Sequence, residues 1–208
     1  MSLPMSNSGY TDNLDAIVSD CWQRLHRGAK DRRHGFHQLT IGNVDREGQP
    51  HQRIMVLREA DSAERLLRFH TDARAAKVDM ISDGSPISIL AYDARAKIQI
   101  RMHGNARIEQ QGPRPDCAWE KASLFARRCY LADPAPGSLT ETPSSGLPAD
   151  LEGIEPTQQR SEHGRNNFAL LLATINRMEW LYLAHTGHRR AQFIHDADSR
   201  WHGHWMVP

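Results

Sequence analysis

The feature that most constrains the fold is an alternation of apolar and polar residues between positions 85 and 107. The apolar members are Ile87, Ile89 and Ala91 in the first run, then Ile98, Ile100 and Met102 in the second. A period of two is typical of strands with one buried and one solvated face. Because Asp93 to Arg95 can turn the chain between the runs, they predict two neighbouring antiparallel strands.

Strand patterns recur on both sides of this pair. The further strands are predicted at 35–44, 51–57, 66–71, 168–175, 178–183, 188–195 and 201–207. Gly48 suits the hairpin turn after the first of them, and Asn176 with Arg177 is predicted to turn the chain between two of the later ones. Short strands in meander order indicate a mainly β protein built on an antiparallel barrel.

Three helices and one long loop complete the pattern. Apolar residues at helical spacing predict an N-terminal helix at about 13–27, capped by Asp12 or Asn13 and ended by Gly28. Further helices are expected at 73–82, with Asp72 as its cap, and at 115–132. The segment at about 133–160 holds five Pro and three Gly. Such a long irregular segment is interpreted as a lid over the active site or an arm that reaches a neighbouring subunit.

The chain has 208 residues, which suits a single domain over 1–208, and its formal net charge is +1. So small a charge gives no reason to expect a nucleic acid or an anionic membrane as partner. The first residues lack the cationic and apolar stretches of an export signal, and no run of about 18 apolar residues occurs. A cytoplasmic protein is therefore expected.

The cysteines and histidines form no pattern typical of a metal site. Cys21, Cys117 and Cys129 are far apart and odd in number, so neither a disulfide framework nor a zinc site is expected. Histidines lie close together at 34 and 37, 185 and 188, and 202 and 204, none beside a carboxylate in a known ligand spacing. The motifs of nicotinamide folds, nucleotide triphosphatases and serine hydrolases are also missing.

A polar cluster lies between positions 53 and 77, where two predicted strands are followed by a predicted helix. Its members are Arg53, Arg58, His70, Thr71, Asp72, Arg74 and Lys77. Guanidinium groups, an ammonium, a hydroxyl and free backbone N–H groups are the donors that a dianionic phosphate needs. The cluster therefore predicts a phosphate site, and the alternative is that these are the solvated ends of ordinary strands.

Several short motifs occur in a characteristic order. Arg53 to Arg58 reads R-x-x-x-L-R, Phe69 to Asp72 reads F-H-T-D, and Lys77 follows in the next predicted helix. Downstream, the motifs are Gln99 to Gly104, Glu179 with Trp180, His188 to Arg190, and W-x-x-x-W-x-x-P from Trp201 to Pro208. Together, over about 39–107 and 167–208, the chain resembles the pyridoxamine 5'-phosphate oxidase-related family of FMN-binding split barrels, in a divergent branch.

This resemblance implies a six-stranded antiparallel split β-barrel with flanking helices, a homodimer, and FMN bound at the subunit interface. The cofactor residues that it implies are Arg53, Met55, Val56, Leu57, Arg58, His70, Thr71, Arg74, Lys77, Gln99, Trp180 and Arg190. Arg53, Thr71 and Lys77 would hold the phosphate with help from Arg74, and the backbone of 55–57 would lie along the isoalloxazine edge. Arg58 and Gln99 would address the polar rim of the ring, while Trp180 and Arg190 would come from the second subunit.

The chain also departs from the family pattern. Ala75 and Ala76 stand where the family has a serine and an arginine for the phosphate, and only His188 remains of the substrate-binding pattern. These departures argue against pyridoxamine 5'-phosphate as substrate and leave the catalytic residues unassigned. The expected function is an FMN-dependent oxidoreductase that transfers hydride between a small substrate and FMN. The alternatives are a flavin carrier or sensor without turnover, and a split barrel that has lost its cofactor.

Overall fold

The computed structural model describes residues 10–81 and 83–208. Residues 1–9 of the predicted domain, and Ser82 at the predicted end of the second helix, lie outside the described residues. The strands are β1 Gln38–Val44, β2 Pro50–Asp61, β3 Leu66–Asp72, β4 Ser85–Asp93, β5 Ile98–Glu109, β6 Phe168–Tyr182, β7 Arg189–His195 and β8 Trp201–Met206. The helices are α1 Leu14–Lys30, α2 Ala76–Met80, α3 Pro113–Lys121, α4 Leu124–Arg127 and α5 Gln158–Glu162.

The first six strands close into a barrel. Their order is β3-β2-β1-β4-β5-β6, and β3 pairs with β6 to complete the ring, while β7 and β8 continue the sheet from β6. Every pairing is antiparallel. The predicted fold class, a mainly β chain with a six-stranded antiparallel barrel and flanking helices, is thus confirmed.

The core fills the barrel and the space beneath α1. Ile17, Cys21 and Leu25 of α1 are fully buried on this side. Asn13 caps the helix as predicted, because the Ala16 N–H donates to its Oδ1 at 2.9 Å. The helix continues past the predicted end to Lys30. Gly28 lies inside it and allows close packing, since a Cβ there would be 2.4 Å from the Phe36 carbonyl oxygen.

The strand β6 runs through the turn predicted at Asn176 and Arg177, so that prediction was wrong. Ile175 lies opposite Gly104 and Arg177 lies opposite His103, which leaves Asn176 as the extra residue of a β-bulge. Gly104 is required at this point because a Cβ would lie 1.9 Å from the Thr174 carbonyl oxygen. Before the bulge the odd-numbered residues of β6 face the barrel core, and after it the even-numbered residues do.

The other helices are shorter than predicted. The helix expected at 73–82 spans only Ala76–Met80, and Asp72 ends β3 instead of capping that helix. The helix expected at 115–132 is broken into α3 and α4, with Ser123 capping α4, and a 3-10 turn at Arg128–Leu131 follows. No helix among the described residues is long and apolar enough to cross a membrane.

The predicted long loop is largely irregular. It contains a 3-10 turn at Ala149–Leu151, and α5 begins two residues before its predicted end at 160. Arg128 fastens the loop by donating to the carbonyl oxygens of Leu151 and Ile154, at 3.1 and 3.3 Å. These bonds attach the loop to the segment that follows α4.

Candidate cofactor site

A cavity of about 500 Å³, here called the Lys77 cavity, lies where β2, β3 and α2 meet. Seven of the twelve predicted cofactor residues line it: Arg53, Met55, Val56, Arg58, His70, Thr71 and Lys77. They come from three elements because β2 pairs with β3 and the chain enters α2 directly after β3. The part of the cluster predicted for phosphate binding therefore does converge on one space.

Two cations share one corner of this cavity. Burial, and after it the charge of Arg53, lowers the pKa of Lys77, although Asp72 acts in the opposite direction. Burial also lowers the pKa of Arg53, whose guanidinium donates to Asn43 Oδ1. Within the described part of the chain, Lys77 has no hydrogen-bond or ion-pair partner. Two partly buried cations, neither of them in an ion pair within the described residues, form a corner suited to an anion.

Asp72 also lines the cavity, but its charge is compensated by Arg74. The Arg74 Nη2 lies 2.8 Å from Asp72 Oδ2 and the Nε lies 3.1 Å from Oδ1. Arg74 also donates to the Asp133 carbonyl oxygen at 3.1 Å and does not line the cavity. Arg74 is thus placed as the partner of a buried carboxylate outside the Lys77 cavity, and its phosphate role stays a prediction.

His70 separates the Lys77 cavity from the packed aromatic residues behind β3. Its ring lies edge-on to Phe168 with centroids 4.9 Å apart, and its Nε2 is 3.2 Å from Arg68 Nη1. Burial, then the charges of Arg68 and Arg58, lowers the pKa of His70 to about 3. The imidazole is therefore neutral at physiological pH and offers a polar but uncharged wall.

Two predicted contacts do not match the structure. Leu57 is fully buried and its backbone N–H already donates to the His37 carbonyl oxygen at 2.9 Å, so neither group is available to a ligand. Trp180 is also fully buried, in the barrel core beside Tyr182. Its side chain has no surface on which a ring could stack, and Leu181 is the neighbour that faces outward.

Gln99, Leu181 and Arg190 form a row on the outer face of the sheet. Leu181 pairs with Gln99 on β5 and with Arg190 on β7, so the three side chains point to the same side. Gln99 lines a separate outer cavity of about 310 Å³. Within one chain, Gln99 and Arg190 therefore do not join the Lys77 cavity.

A buried carboxylate holds Arg190 in place. Glu179 accepts from Arg190 at 2.8 Å, from Arg177 at 3.1 Å and from Arg101 at 3.3 Å. Burial opposes its ionisation, but the Arg190 hydrogen bond and the surrounding arginine charges still bring the pKa of Glu179 below its usual range. One carboxylate among three arginines gives this outer face a surplus of positive charge.

His188, the predicted substrate residue, is exposed in the connection between β6 and β7 and lines neither cavity. Sequence reasoning also missed Cys129, Tyr130 and Pro136, which line the Lys77 cavity. Cys129 and Tyr130 lie at the end of the helix predicted at 115–132, and Pro136 lies in the irregular segment after it. No alternation or motif marks these three residues as part of a binding site. In the part of the chain that the structure describes, no group of three His, Cys, Asp or Glu side chains is placed to hold a metal ion.

The closed antiparallel barrel and its cationic cavity define a class of barrel proteins suited to a small phosphate-bearing ligand. Residues 19–110 match the model of the family described as pyridoxamine 5'-phosphate oxidase, FMN-binding domain. No curated protein matches the chain.

Solved structures extend the likeness to the whole chain. A pyridoxamine 5'-phosphate oxidase-related, FMN binding protein from Nostoc punctiforme is 25% identical, with a TM-score of 0.70 and 100% of each chain covered. PhzG from Burkholderia lata, in complex with tetrahydrophenazine-1-carboxylic acid, is 16% identical, with a TM-score of 0.70 and 96% of each chain covered. The second likeness concerns the fold alone.

Proposed function

We propose that this protein binds FMN between two copies of its chain and acts as an FMN-dependent oxidoreductase on a small substrate. The observation that carries the proposal is the pair Arg53 and Lys77, which line the same cavity. Burial lowers the pKa of both side chains, and the charge of Arg53 lowers the pKa of Lys77 further. The match of residues 19–110 to an FMN-binding domain model supports FMN as the ligand whose phosphate would neutralise these cations.

The residues of the Lys77 cavity fit FMN in a defined orientation. Arg53, Thr71 and Lys77 are assigned to the phosphate, because two cations and a hydroxyl match its charge and acceptor oxygens. Ala75 and Ala76 add no donor from their side chains, so the phosphate site has fewer ligands than the family pattern implies. Val56 and Arg58 extend the lining away from this corner and are assigned to the ring.

A second copy is needed because Gln99 and Arg190 lie outside the Lys77 cavity of their own chain. Ile54, Thr40 and Leu90 are consecutive partners across β2, β1 and β4, and Tyr92 pairs with Gln99. Ile54, Leu90 and Tyr92 are 69%, 39% and 47% exposed, and Ile54 also lines the Lys77 cavity. This apolar strip connects the cavity to the Gln99 row, as expected of a surface that a partner copy covers.

FMN, when bound, supplies the redox chemistry, and the protein binds, orients and shields it. The neutral His70 and the Met55, Val56 and Tyr130 side chains make one wall of the cavity weakly polar. Such a wall excludes water from the ring, while the cations fix the phosphate end. The substrate would approach the ring from the side of the cavity that these residues leave open.

The proposal is tested by titrating the purified chain with FMN and with riboflavin, which lacks the phosphate. FMN is expected to bind at one per chain, and riboflavin about 100-fold more weakly, since about 3 kcal/mol of charged hydrogen bonding is lost. Equal affinity for the two flavins, or no binding of either, would contradict the assigned phosphate corner. Bound FMN that no amine, reduced nicotinamide or quinol reduces would indicate a flavin carrier or sensor instead.

The dimer is tested at Ile54. The substitution Ile54→Asp places a charge in the apolar strip, and we expect the dimer to dissociate at micromolar concentration, with about 10-fold or greater loss of association. Sedimentation equilibrium measures the change. Val44→Asp is the matched control, because Val44 is 55% exposed at the end of β1 in the same hairpin. If the Ile54→Asp protein had the same sedimentation behaviour as the unaltered protein, the apolar strip would not be the dimer interface.

A further inference from the structure

A second concavity of about 700 Å³, here called the Lys121 groove, opens beside the Lys77 cavity. The two spaces share Val56, Arg58, His70 and Cys129, so they are continuous. The connection after α1 supplies Arg32 to one wall, and α3 with α4 supplies Lys121 and Phe125 to the other. Because the groove lies beside the proposed ring site, a second ligand bound in it would be next to the flavin ring.

The groove has cations in its lining but no carboxylate. The charged residues that line it are Arg32, Arg58, Arg68 and Lys121. Arg68 is paired with Glu59 at 2.7 Å. The side chains of Arg32, Arg58 and Lys121 have no hydrogen-bond or ion-pair partner anywhere in residues 10–81 and 83–208. Burial lowers the pKa of Arg58, and the charges of Arg32 and Arg68 lower it further.

The wall that carries Lys121 is held rigidly from behind. Arg127 is 4% exposed and donates to the carbonyl oxygens of Trp119, Glu120 and Ala122, at distances between 3.0 and 3.2 Å. These bonds satisfy the carbonyl oxygens at the end of α3. Arg127 also pairs with Glu162 of α5 at 2.7 Å. The backbone on both sides of Lys121 is thereby held in place before any ligand arrives.

The opposite wall is anchored as well. The Arg33 N–H donates to Asp31 Oδ1 at 2.9 Å, which fixes the turn that holds Arg32. His37 bridges the base of this turn to the barrel, because its Nδ1 lies 2.7 Å from the Gly28 carbonyl oxygen and its own carbonyl accepts from Leu57. Hydrogen bonds therefore hold the backbone of both walls of the groove.

We propose that the Lys121 groove binds the carboxylate of a small organic acid with an apolar body, and that this acid is the substrate. The Arg32 guanidinium and the Lys121 ammonium suit the two oxygens of a carboxylate, and Arg58, which is assigned to the ring, adds positive charge at the boundary of the two spaces. The body of the acid would lie on the apolar part of the lining, formed by Val56, Ala118, Phe125 and Ala126. The role as substrate rests on the proposed FMN site next to it, whereas binding of the acid does not.

The test is calorimetric titration of the full chain, with and without FMN, using benzoate, phenyl phosphate and neutral benzamide as probes. Benzoate is expected to bind in both forms, with benzamide at least about 10-fold weaker because it lacks the charge. Arg32→Gln and Lys121→Gln are each expected to weaken benzoate about 10-fold and to leave FMN affinity unchanged. Arg114→Gln is the control, since Arg114 lies on α3 outside the groove.

The outcomes separate this inference from the proposed function. Benzoate binding that depends on Arg32 and Lys121, in a chain that binds no FMN, would support the groove and overturn the flavin proposal. Benzoate affinity that is the same in the Arg32→Gln and Lys121→Gln proteins, or equal to that of benzamide, would overturn the groove. Tighter binding of phenyl phosphate than of benzoate would overturn the assignment to a carboxylate.

Discussion

Replacing Arg53 by Gln and Lys77 by Met together is expected to weaken FMN binding about 1,000-fold, which corresponds to about 4 kcal/mol. The two side chains are the cations of one corner of the Lys77 cavity. Each donates charge-assisted hydrogen bonds to the phosphate in the proposed complex, so each single substitution is expected to lose about 10- to 100-fold. Fluorescence titration with FMN measures both the single and the double variants.

Thermal unfolding of the same variants without FMN shows whether they are correctly folded. Without FMN, the two cations repel each other in a partly buried place, so removing them should leave the thermal unfolding midpoint unchanged or raise it. Arg46→Gln in the exposed turn between β1 and β2 is the matched control and should bind FMN normally. A double variant that folds well and keeps FMN within about threefold would remove the phosphate from this corner.

Replacing Trp180 by Ala is expected to lower the free energy of unfolding by about 3–5 kcal/mol, since an indole that is fully buried leaves a large cavity. Leu181→Ala should lower the free energy of unfolding by only about 1 kcal/mol or less, because Leu181 is partly buried on the outer face of the sheet. Urea unfolding of the protein without FMN measures both. Leu181→Ala is instead expected to weaken FMN binding, because its side chain lies between Gln99 and Arg190.

Trp180→Phe provides the volume control for this pair. The Trp180 Nε1 is buried and has no partner within the described residues, so a phenyl ring loses volume but no hydrogen bond. We expect Trp180→Phe to be clearly more stable than Trp180→Ala. If Leu181→Ala proved the more damaging to stability, the assignment of the two faces of β6 would be reversed.

The convergence of Arg53, Thr71 and Lys77 on one cavity was predictable because these residues lie within one stretch of 25 residues on consecutive elements. Arg53 on β2, Thr71 on β3 and Lys77 on α2 are brought together by a hairpin and the turn that follows it. Local pairing of this kind is encoded by short-range alternation and turn residues. The pairing of Arg74 with Asp72 was not predictable, because in sequence Arg74 is as close to the predicted phosphate residues as Lys77 is.

The Lys121 groove could not be predicted in this way. Arg32 and Lys121 are separated by most of the barrel in sequence, and no spacing relates the end of α1 to the end of α3. Their approach depends on α1 packing against β2 and on Arg127 ending α3 where it does. The break between α3 and α4 was missed for the same reason, since Arg127 reads as an ordinary helical residue.

By itself, the sequence determined the alternating strands, the N-terminal helix and the cationic cluster, because each depends on residues that are neighbours along the chain. Only the tertiary structure decided which face β6 presents to the core beyond residue 176. The bulge at Asn176 shifts β6 by one residue, which turns Trp180 into the core and Leu181 outward. That shift depends on Gly104 of a different strand meeting the Thr174 backbone, a contact that no local pattern in β6 contains.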